Sequence, residues 1–303
     1  MSETNQSSAQ VQAYSEPLVT IGLPTYNRPA GLQKALENIL KQTYSNLEII
    51  ISDNCSTDAE VSGIILNYAA KDNRIRDYRQ NENIGLEENF NFVYAKANGQ
   101  YFIWMSDDDY FDASYITECV RFLQDNPGHV LCSGQALYYD DGEFSFKENM
   151  MPLCQESSFL RTSKFFSQMQ QNGKFYGLFR NKLLASAPLG KHIGCDWSFT
   201  AKLAMLGKIT YTNKTNYHRA VGGNSFTRKK MVERFGYGRL KNIFLETYMA
   251  YIISTNIFND LSVKYKLGYI KRHFLVVIIF FKIHRLLIIN SIRKRIKKKK
   301  YQA

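Results

Sequence analysis

The sequence predicts an α/β protein with a mostly parallel sheet and helices on both faces, on three observations. Between residues 18 and 139, short apolar runs of strand length alternate with segments whose apolar residues recur at helical spacing. The short runs are rich in Val, Ile and aromatic residues, as parallel strands buried on both faces are. The strongest of them end in clusters of Pro, Asn, Ser or Asp, and an open parallel sheet binds its ligands beyond the carboxyl ends of its strands.

Taken in order, residues 18–23 (LVTIGL) read as a buried strand ending at Pro24. Asn27 is expected to cap a helix with Pro29 in its first turn, whose Leu32, Leu36, Ile39 and Leu40 share one face. Residues 47–52 (LEIIIS) form the second strand and 57–72 the second helix. A weaker strand follows at 75–79, a helix at 86–97, and a fourth strand at 101–105 (YFIWM), whose Phe102 and Trp104 are expected in the core. A helix over 112–125 and a strand over 130–139 complete the regular pattern. From 140 to 173 the pattern is irregular; beyond it come an apolar run at 175–179, a helix containing 197–206 and a strand-like 208–211. Residues 226–260 read as largely helical and lead into a basic tail, and no internal repeat is present.

The length of 303 residues suits one large domain or two ordinary ones. An apolar content of 45%, with 18 Gly and 6 Pro, excludes a mostly disordered or collagen-like chain. The five cysteines are odd in number, widely spaced and never C-x-x-C, which argues against a disulfide framework or zinc ribbon and for a reducing compartment. Residues 1–17 are polar, rich in Ser and Gln, and lack the apolar core of a signal peptide. They are expected to be disordered, and the protein to be intracellular.

The net charge of +12 is concentrated at one end. Residues 261–303 hold 13 Lys and Arg and no acid, leaving the rest of the chain close to neutral. The apolar run 274–281 (FLVVIIFF) is too short to span a bilayer, which takes roughly 20 largely uncharged residues. Lys271, Lys282 and Arg293, spaced by eleven, fall on one helical face together with the apolar Leu275 and Ile278. A polybasic segment at 293–300 follows. An apolar helix beside a polybasic run fits an anionic membrane surface better than nucleic acid, because bulky aliphatics are poor phosphate readers. A helix packed on the body with a solvated tail is the other reading.

The chemistry lies in the loops after the strands. Pro24-Thr25-Tyr26-Asn27 follows the first, Ser52-Asp53-Asn54-Cys55-Ser56-Thr57-Asp58 the second, and Ser106-Asp107-Asp108-Asp109 the fourth. Neither G-x-G-x-x-G nor a P-loop occurs, which weighs against a dinucleotide dehydrogenase or P-loop NTPase. Three consecutive carboxylates raise one another's pKa unless a cation compensates. Hard oxygens at the end of a buried strand suit Mg²⁺ or Mn²⁺ bridging a substrate's phosphates, where a solvated acidic turn would be the alternative.

In this series the chain resembles the family 2 glycosyltransferases of the GT-A fold. The resemblance runs from P-T-Y-N-R-P at 24–29 through S-D-N-x-S-T-D at 52–58, N-x-G-x-x-x-N at 83–89 and S-D-D-D at 106–109. It continues through Gly177-Leu178-Phe179-Arg180, Gly194-Cys195-Asp196-Trp197, Gly207-Lys208 and His218, and covers roughly residues 18 to 225. S-D-D-D and G-C-D-W are similar to motifs of bacterial members that build O-antigen, capsule or other surface polysaccharides. The resemblance implies a GT-A catalytic domain over 18–225; residues 226–303, beyond it, read from their own pattern as a helical, basic, membrane-associating extension.

It also implies roles. Pro24, Tyr26 and Arg28 would line the nucleotide pocket, Tyr26 against the base, and Asp53 would accept a hydrogen bond from the base. Asn83 and Gly85 would shape the adjoining loop, Gly85 by a positive φ. Asp107 would sit at the ribose, Asp108 would ligate the metal with Asp109 in support, and His218 would be a further ligand or a packed residue. Ser106 stands where the family more often has the first Asp of D-x-D-D. Asp196 would be the general base of an inverting transfer, its alternative being a helix N-cap, and Trp197 would stack on acceptor sugar. The implied function is transfer of a sugar from a nucleotide-sugar to a hydroxyl of a glycan or polyprenyl-linked glycan, at the cytoplasmic face of the membrane. Its rivals are a metal-dependent nucleotidyltransferase, which would release pyrophosphate, and a non-catalytic membrane-bound scaffold of the same fold.

Overall fold

Strand β1 (Val19–Thr25) is buried along its whole length, and it pairs in parallel with β2 (Leu47–Asp53) on one side and β4 (Tyr101–Trp104) on the other. β3 (Ile75–Arg79) extends the parallel half beyond β2. The structure, a computed structural model, describes residues 16–168, 171–181, 183–184, 188–221, 233–238, 244–259 and 267–300. The expectation of disorder over 1–17 thus falls largely outside the described residues. Glu16 and Pro17, which are described, are tied down: the Tyr44 hydroxyl donates to the Pro17 carbonyl at 2.5 Å and the Ser45 hydroxyl to Glu16 at 2.8 Å.

Among the described residues one nine-stranded sheet has the order β3-β2-β1-β4-β8-β6-β9-β5, with β7 paired to β6. The second half comprises β5 (Tyr110–Phe111), β6 (His129–Asp140), β7 (Glu143–Lys147), β8 (Leu178–Arg180) and β9 (Lys208–Ala220). The predicted α/β class holds. The first half is parallel, while β8 runs antiparallel to both β4 and β6, and β6 and β9 pair in parallel.

Alternation along each strand sends side chains to two cores. Val19, Ile21, Leu23, Ile49, Ile51 and Ile103 meet helices α1 (Pro29–Leu40), α2 (Ala59–Ala69) and α4 (Tyr115–Asp125) on one face. Ile50, Phe102 and Trp104 meet α3 (Leu86–Ala95), α5 (Ser158–Gln168) and α6 (Cys195–Leu206) on the other. Trp104 is fully buried as expected, stacked on Phe175 at 5.0 Å and edge-on to Phe199 at 4.9 Å. Helices α7 (Leu245–Asn259) and α8 (Tyr269–Lys300) complete this second core, with Ile253, Ile257, Leu275, Ile279 and Ile283 all fully buried.

Four local differences from the sequence expectation have physical causes. Arg28, not Asn27, takes the N-cap position of α1: Asn27 has φ +52° and spends its side-chain oxygen on the Thr57 and Asp58 amides. β9 runs nine residues past the predicted end at 211 to Ala220, because the polar stretch 212–214 is absorbed as a bulge where pairing jumps from Ser133–Tyr211 to Gln135–Asn216. β5, Tyr110–Phe111, falls between the predicted strand at 101–105 and the predicted helix at 112–125; its two residues are too few to show a strand pattern and pair only with the distant β9. Finally, Lys282 does not join a solvated basic face with Lys271; its ammonium donates to the Ser163 carbonyl at 2.9 Å and hydroxyl at 2.7 Å on α5.

Candidate active site

The register of the parallel half carries polar residues to one edge: Thr25 ends β1 beside Asp53 of β2, which in turn lies beside Arg79 of β3. Asp53 is 1% exposed, and a buried carboxylate needs partners. It accepts from the Ser56 amide at 2.9 Å and from the Arg79 guanidinium, which also donates to the Ser56 carbonyl at 2.8 Å. Tyr26, one loop away, is 40% exposed.

Asn54 joins this loop to the next. Its amide donates to Asn83 at 3.0 Å and its oxygen accepts from the Ile84 amide at 2.9 Å. Asn83 also accepts from the Gly85 amide at 3.0 Å. Gly85 has φ +89°, the left-handed region expected of it, and caps α3. The last Asn of that motif, Asn89, exchanges hydrogen bonds with Ser52 at 2.6 and 2.9 Å, pinning α3 to the end of β2.

The three aspartates after β4 diverge, which relieves their repulsion. Asp107 accepts from Thr25 at 3.0 Å and from Arg28 at 2.8 Å; burial raises its pKa and the arginine opposes that. Asp108 is the most exposed, held by the Ser106 hydroxyl and by Arg28 at 3.0 Å. Asp109 turns inward to the Tyr217 hydroxyl and the Ala220 amide, with the Arg219 Nε at 3.6 Å. Burial pushes its pKa up to about 7 against the pull of Arg219. A cavity of about 660 Å³ opens beside the loop, lined in part by Arg28, Lys34, Asp108 and Tyr110. At its inner wall, α1 passes so close to the loop that a methyl on Gly31 would overlap the Asp107 carbonyl oxygen.

The Arg28 guanidinium bridges Asp107 and Asp108, so a hard divalent cation would have to take the place of this partner on Asp108, the most exposed of the three carboxylates. Among the described residues no group of three or more His, Cys, Asp or Glu side chains forms a ready-made metal site. His218 has both ring nitrogens engaged, Nε2 with Asp112 at 2.8 Å and Nδ1 with the Tyr139 hydroxyl at 2.9 Å, and its ring stacks on Tyr110 at 4.2 Å. It would have to give up one of these bonds to ligate a metal.

Asp196 lies in the first turn of α6, and the N-cap alternative does not hold: Gly194, at φ +76°, takes that position. Asn172 donates to the Asp196 carboxylate at 3.1 Å, and Thr200 fixes Asn172 at 3.2 Å. Desolvation raises the pKa of Asp196, opposed by Asn172 and by the charge of Arg219. Trp197 is partly buried against the second core.

Sequence reasoning passed over Arg219 and Tyr176. The guanidinium lies over the Tyr176 ring at 5.0 Å and the Tyr138 ring at 5.6 Å, and its Nε is buried without a hydrogen bond. Asn172, which holds Asp196, precedes the turn 173–176 whose Tyr176 ring lies under Arg219, and Arg219 reaches Asp109 at 3.6 Å, so the aspartate loop and the start of α6 are linked through that turn. The available sequence signal is a cation directly after His218.

Comparison with known proteins agrees with this geometry. The chain matches the model of glycosyl transferase family 2 over residues 20–184, more than half its length. It is 26% identical over 238 residues to the GalNAc(5)-diNAcBac-PP-undecaprenol beta-1,3-glucosyltransferase of Campylobacter jejuni, covering 78% of this chain and 72% of that one. Several other curated relatives are matched over less than half of their own length. Among solved structures, S. aureus TarS 1–349 in complex with UDP-GlcNAc superposes with a TM-score of 0.59 at 16% identity, over 86% of this chain and 70% of that one. The mannosyltransferase PcManGT of Pyrobaculum calidifontis, in complex with GDP-Man and Mn2+, gives 0.53 at 15% identity, over 90% and 87%. These two likenesses concern the fold, and the family match rests on the sequence itself: the chain belongs to glycosyl transferase family 2 and is a glycosyltransferase of GT-A fold.

Proposed function

We propose that the protein transfers a sugar, with inversion, from a nucleoside diphosphate sugar to a hydroxyl of a glycan or polyprenyl-linked glycan in bacterial surface polysaccharide synthesis, peripherally at the cytoplasmic face of the membrane. The observation that supports the reading is that Arg219 lies 3.6 Å from Asp109 and over the Tyr176 ring at 5.0 Å, at the end of the turn whose preceding residue, Asn172, donates to Asp196. The undecaprenol-linked substrate in the name of the Campylobacter relative supports the acceptor class.

In this reading Pro24, Tyr26 and Arg28 line the nucleotide pocket, Asp53 accepts from the base, and Asn83 and Gly85 shape its loop. Asp107 holds the ribose, and Asp108 would hold Mg²⁺ or Mn²⁺ with Asp109 in support. A cation held there would supply positive charge against the leaving diphosphate. Asp196 takes the proton from the acceptor hydroxyl as that oxygen attacks the anomeric carbon, and Trp197 offers a ring to the acceptor sugar. Burial raises the pKa of Asp196 and so makes it a stronger base, with Asn172 and the charge of Arg219 opposing the rise.

Calorimetric titration with UDP, GDP, CDP and dTDP, each with and without Mn²⁺, tests this. One diphosphate should bind with clear metal dependence, and Asp108→Ala should abolish that dependence without unfolding the protein. Binding that ignores the metal, or survives undiminished in Asp108→Ala, overturns the metal assignment.

A further inference from the structure

Helix α8 is apolar on two opposite sides. Its Leu275, Ile279 and Ile283 are fully buried against the body. Its Ile270, Phe274, Val277, Phe281 and Ile288 are exposed by 71, 64, 52, 63 and 39%. At 3.6 residues per turn these five fall within an arc of about 60°, diametrically across from the buried three. The helix is about 48 Å long, and the stripe occupies its described first two thirds. Lys271 and Arg285 are exposed along the border of the stripe, and the helical backbone continues into the polybasic 293–300.

An apolar stripe of this length on a surface helix, broken only by His284 and Arg285 between Phe281 and Ile288, calls for a covering partner. Spacings of four and three along 270, 274, 277 and 281 would allow a second copy of the helix to pack there. Charge rejects that partner: residues 261–303 carry 13 cations and no acid, so pairing two copies sets like charges side by side. An anionic lipid surface answers both features, taking the apolar side chains below its headgroups and the cations among them. No helix among the described residues is long and apolar enough to cross a membrane, so the helix would lie along the surface.

We propose that α8 docks flat on an anionic bilayer through Ile270, Phe274, Val277, Phe281 and Ile288, with Leu275, Ile279 and Ile283 holding the body to it from the other side. This deepens the membrane-proximal reading above by naming the surface responsible, and it rests on that reading only for the biological setting. The test is sedimentation of the full chain with phosphatidylglycerol or phosphatidylcholine vesicles, without donor or acceptor, so its result and that of the nucleotide titration are independent. The wild type should partition onto phosphatidylglycerol at least about tenfold more strongly than onto phosphatidylcholine. The double variant Phe274→Ser, Phe281→Ser should lose about tenfold or more on phosphatidylglycerol at unchanged melting temperature, both side chains being over half exposed. Should that variant be unstable, Lys271→Gln with Arg285→Gln keeps the stripe and tests the charge by the same loss. Equal partitioning of wild type and variants, absence of wild-type binding to either vesicle, or a self-associated species that the Phe variant dissolves would each overturn the proposal.

Discussion

Two helical glycines of this protein should respond to alanine with opposite signs. Gly63 lies on the exposed side of α2, where an added methyl would meet nothing within 4 Å. Gly63→Ala should therefore give the ordinary helical gain of about 0.5–1 kcal/mol, from lower unfolded-state entropy. Gly31 lies in the first turn of α1, where the same methyl would overlap the Asp107 backbone oxygen. A backbone atom cannot swing away as a side-chain tip can, so α1 or the aspartate loop must move. Forced overpacking costs about 1–3 kcal/mol, which offsets or exceeds the helical gain. The two variants should differ by about 1–3 kcal/mol in equilibrium urea unfolding, Gly63→Ala above wild type and Gly31→Ala at or below it. Displacing Asp107 should also weaken metal-dependent nucleoside diphosphate binding in Gly31→Ala alone. A Gly31→Ala protein as stable as Gly63→Ala would refute the close approach of α1 to the aspartate loop.

Asp196→Asn keeps the shape and the bond from Asn172 but removes the base, so transfer should fall by about 10²–10⁴-fold while nucleoside diphosphate affinity holds. Steady-state kinetics beside calorimetry checks this, and a small change in turnover would remove Asp196 from the chemistry. Burial lowers the pKa of His129 and His192. Below about pH 6.5 the unfolded chain then binds protons that the folded chain refuses, so stability should be full above that pH and fall beneath it. Urea midpoints at pH 7.5 and 5.5 measure the fall; His192→Gln should shrink it, and an unchanged fall would clear that histidine.

The parallel half of the sheet was legible because each of its strands announces itself locally. The pattern over 75–79 predicts β3 (Ile75–Arg79) to the residue, and the apolar run around Trp104 predicts its burial. The loops carrying Asp53, Asn83, Gly85 and the three aspartates were legible for the same reason, since each follows a strand with a clear end. What stayed hidden depends on partners far along the chain. β5 is two residues long and exists only because Tyr110 and Phe111 pair with His218 and Tyr217. The far end of β9 lies beyond a polar bulge that reads as a turn. Arg219 shows no local pattern at all; its significance comes from Asp109, Tyr138 and Tyr176, which three separate segments deliver to it. Asn27 misled because its residue type suits both a helix cap and a left-handed loop position, and the Thr57 and Asp58 amides decided for the loop.

The clasp between β5 and β9 has a consequence for how the molecule is made. Asp109 meets Tyr217 across 108 residues of chain, and Asp112 meets His218 across 106. During synthesis the four parallel strands can assemble while the segment that anchors the aspartate loop does not yet exist. Closing a loop of that length is a late, entropically slow event, so the nascent chain should pass through a stage with a formed nucleotide edge and an unanchored aspartate loop. The aspartate loop is thus anchored only after residues 208–220 have been made and β9 seats against β5.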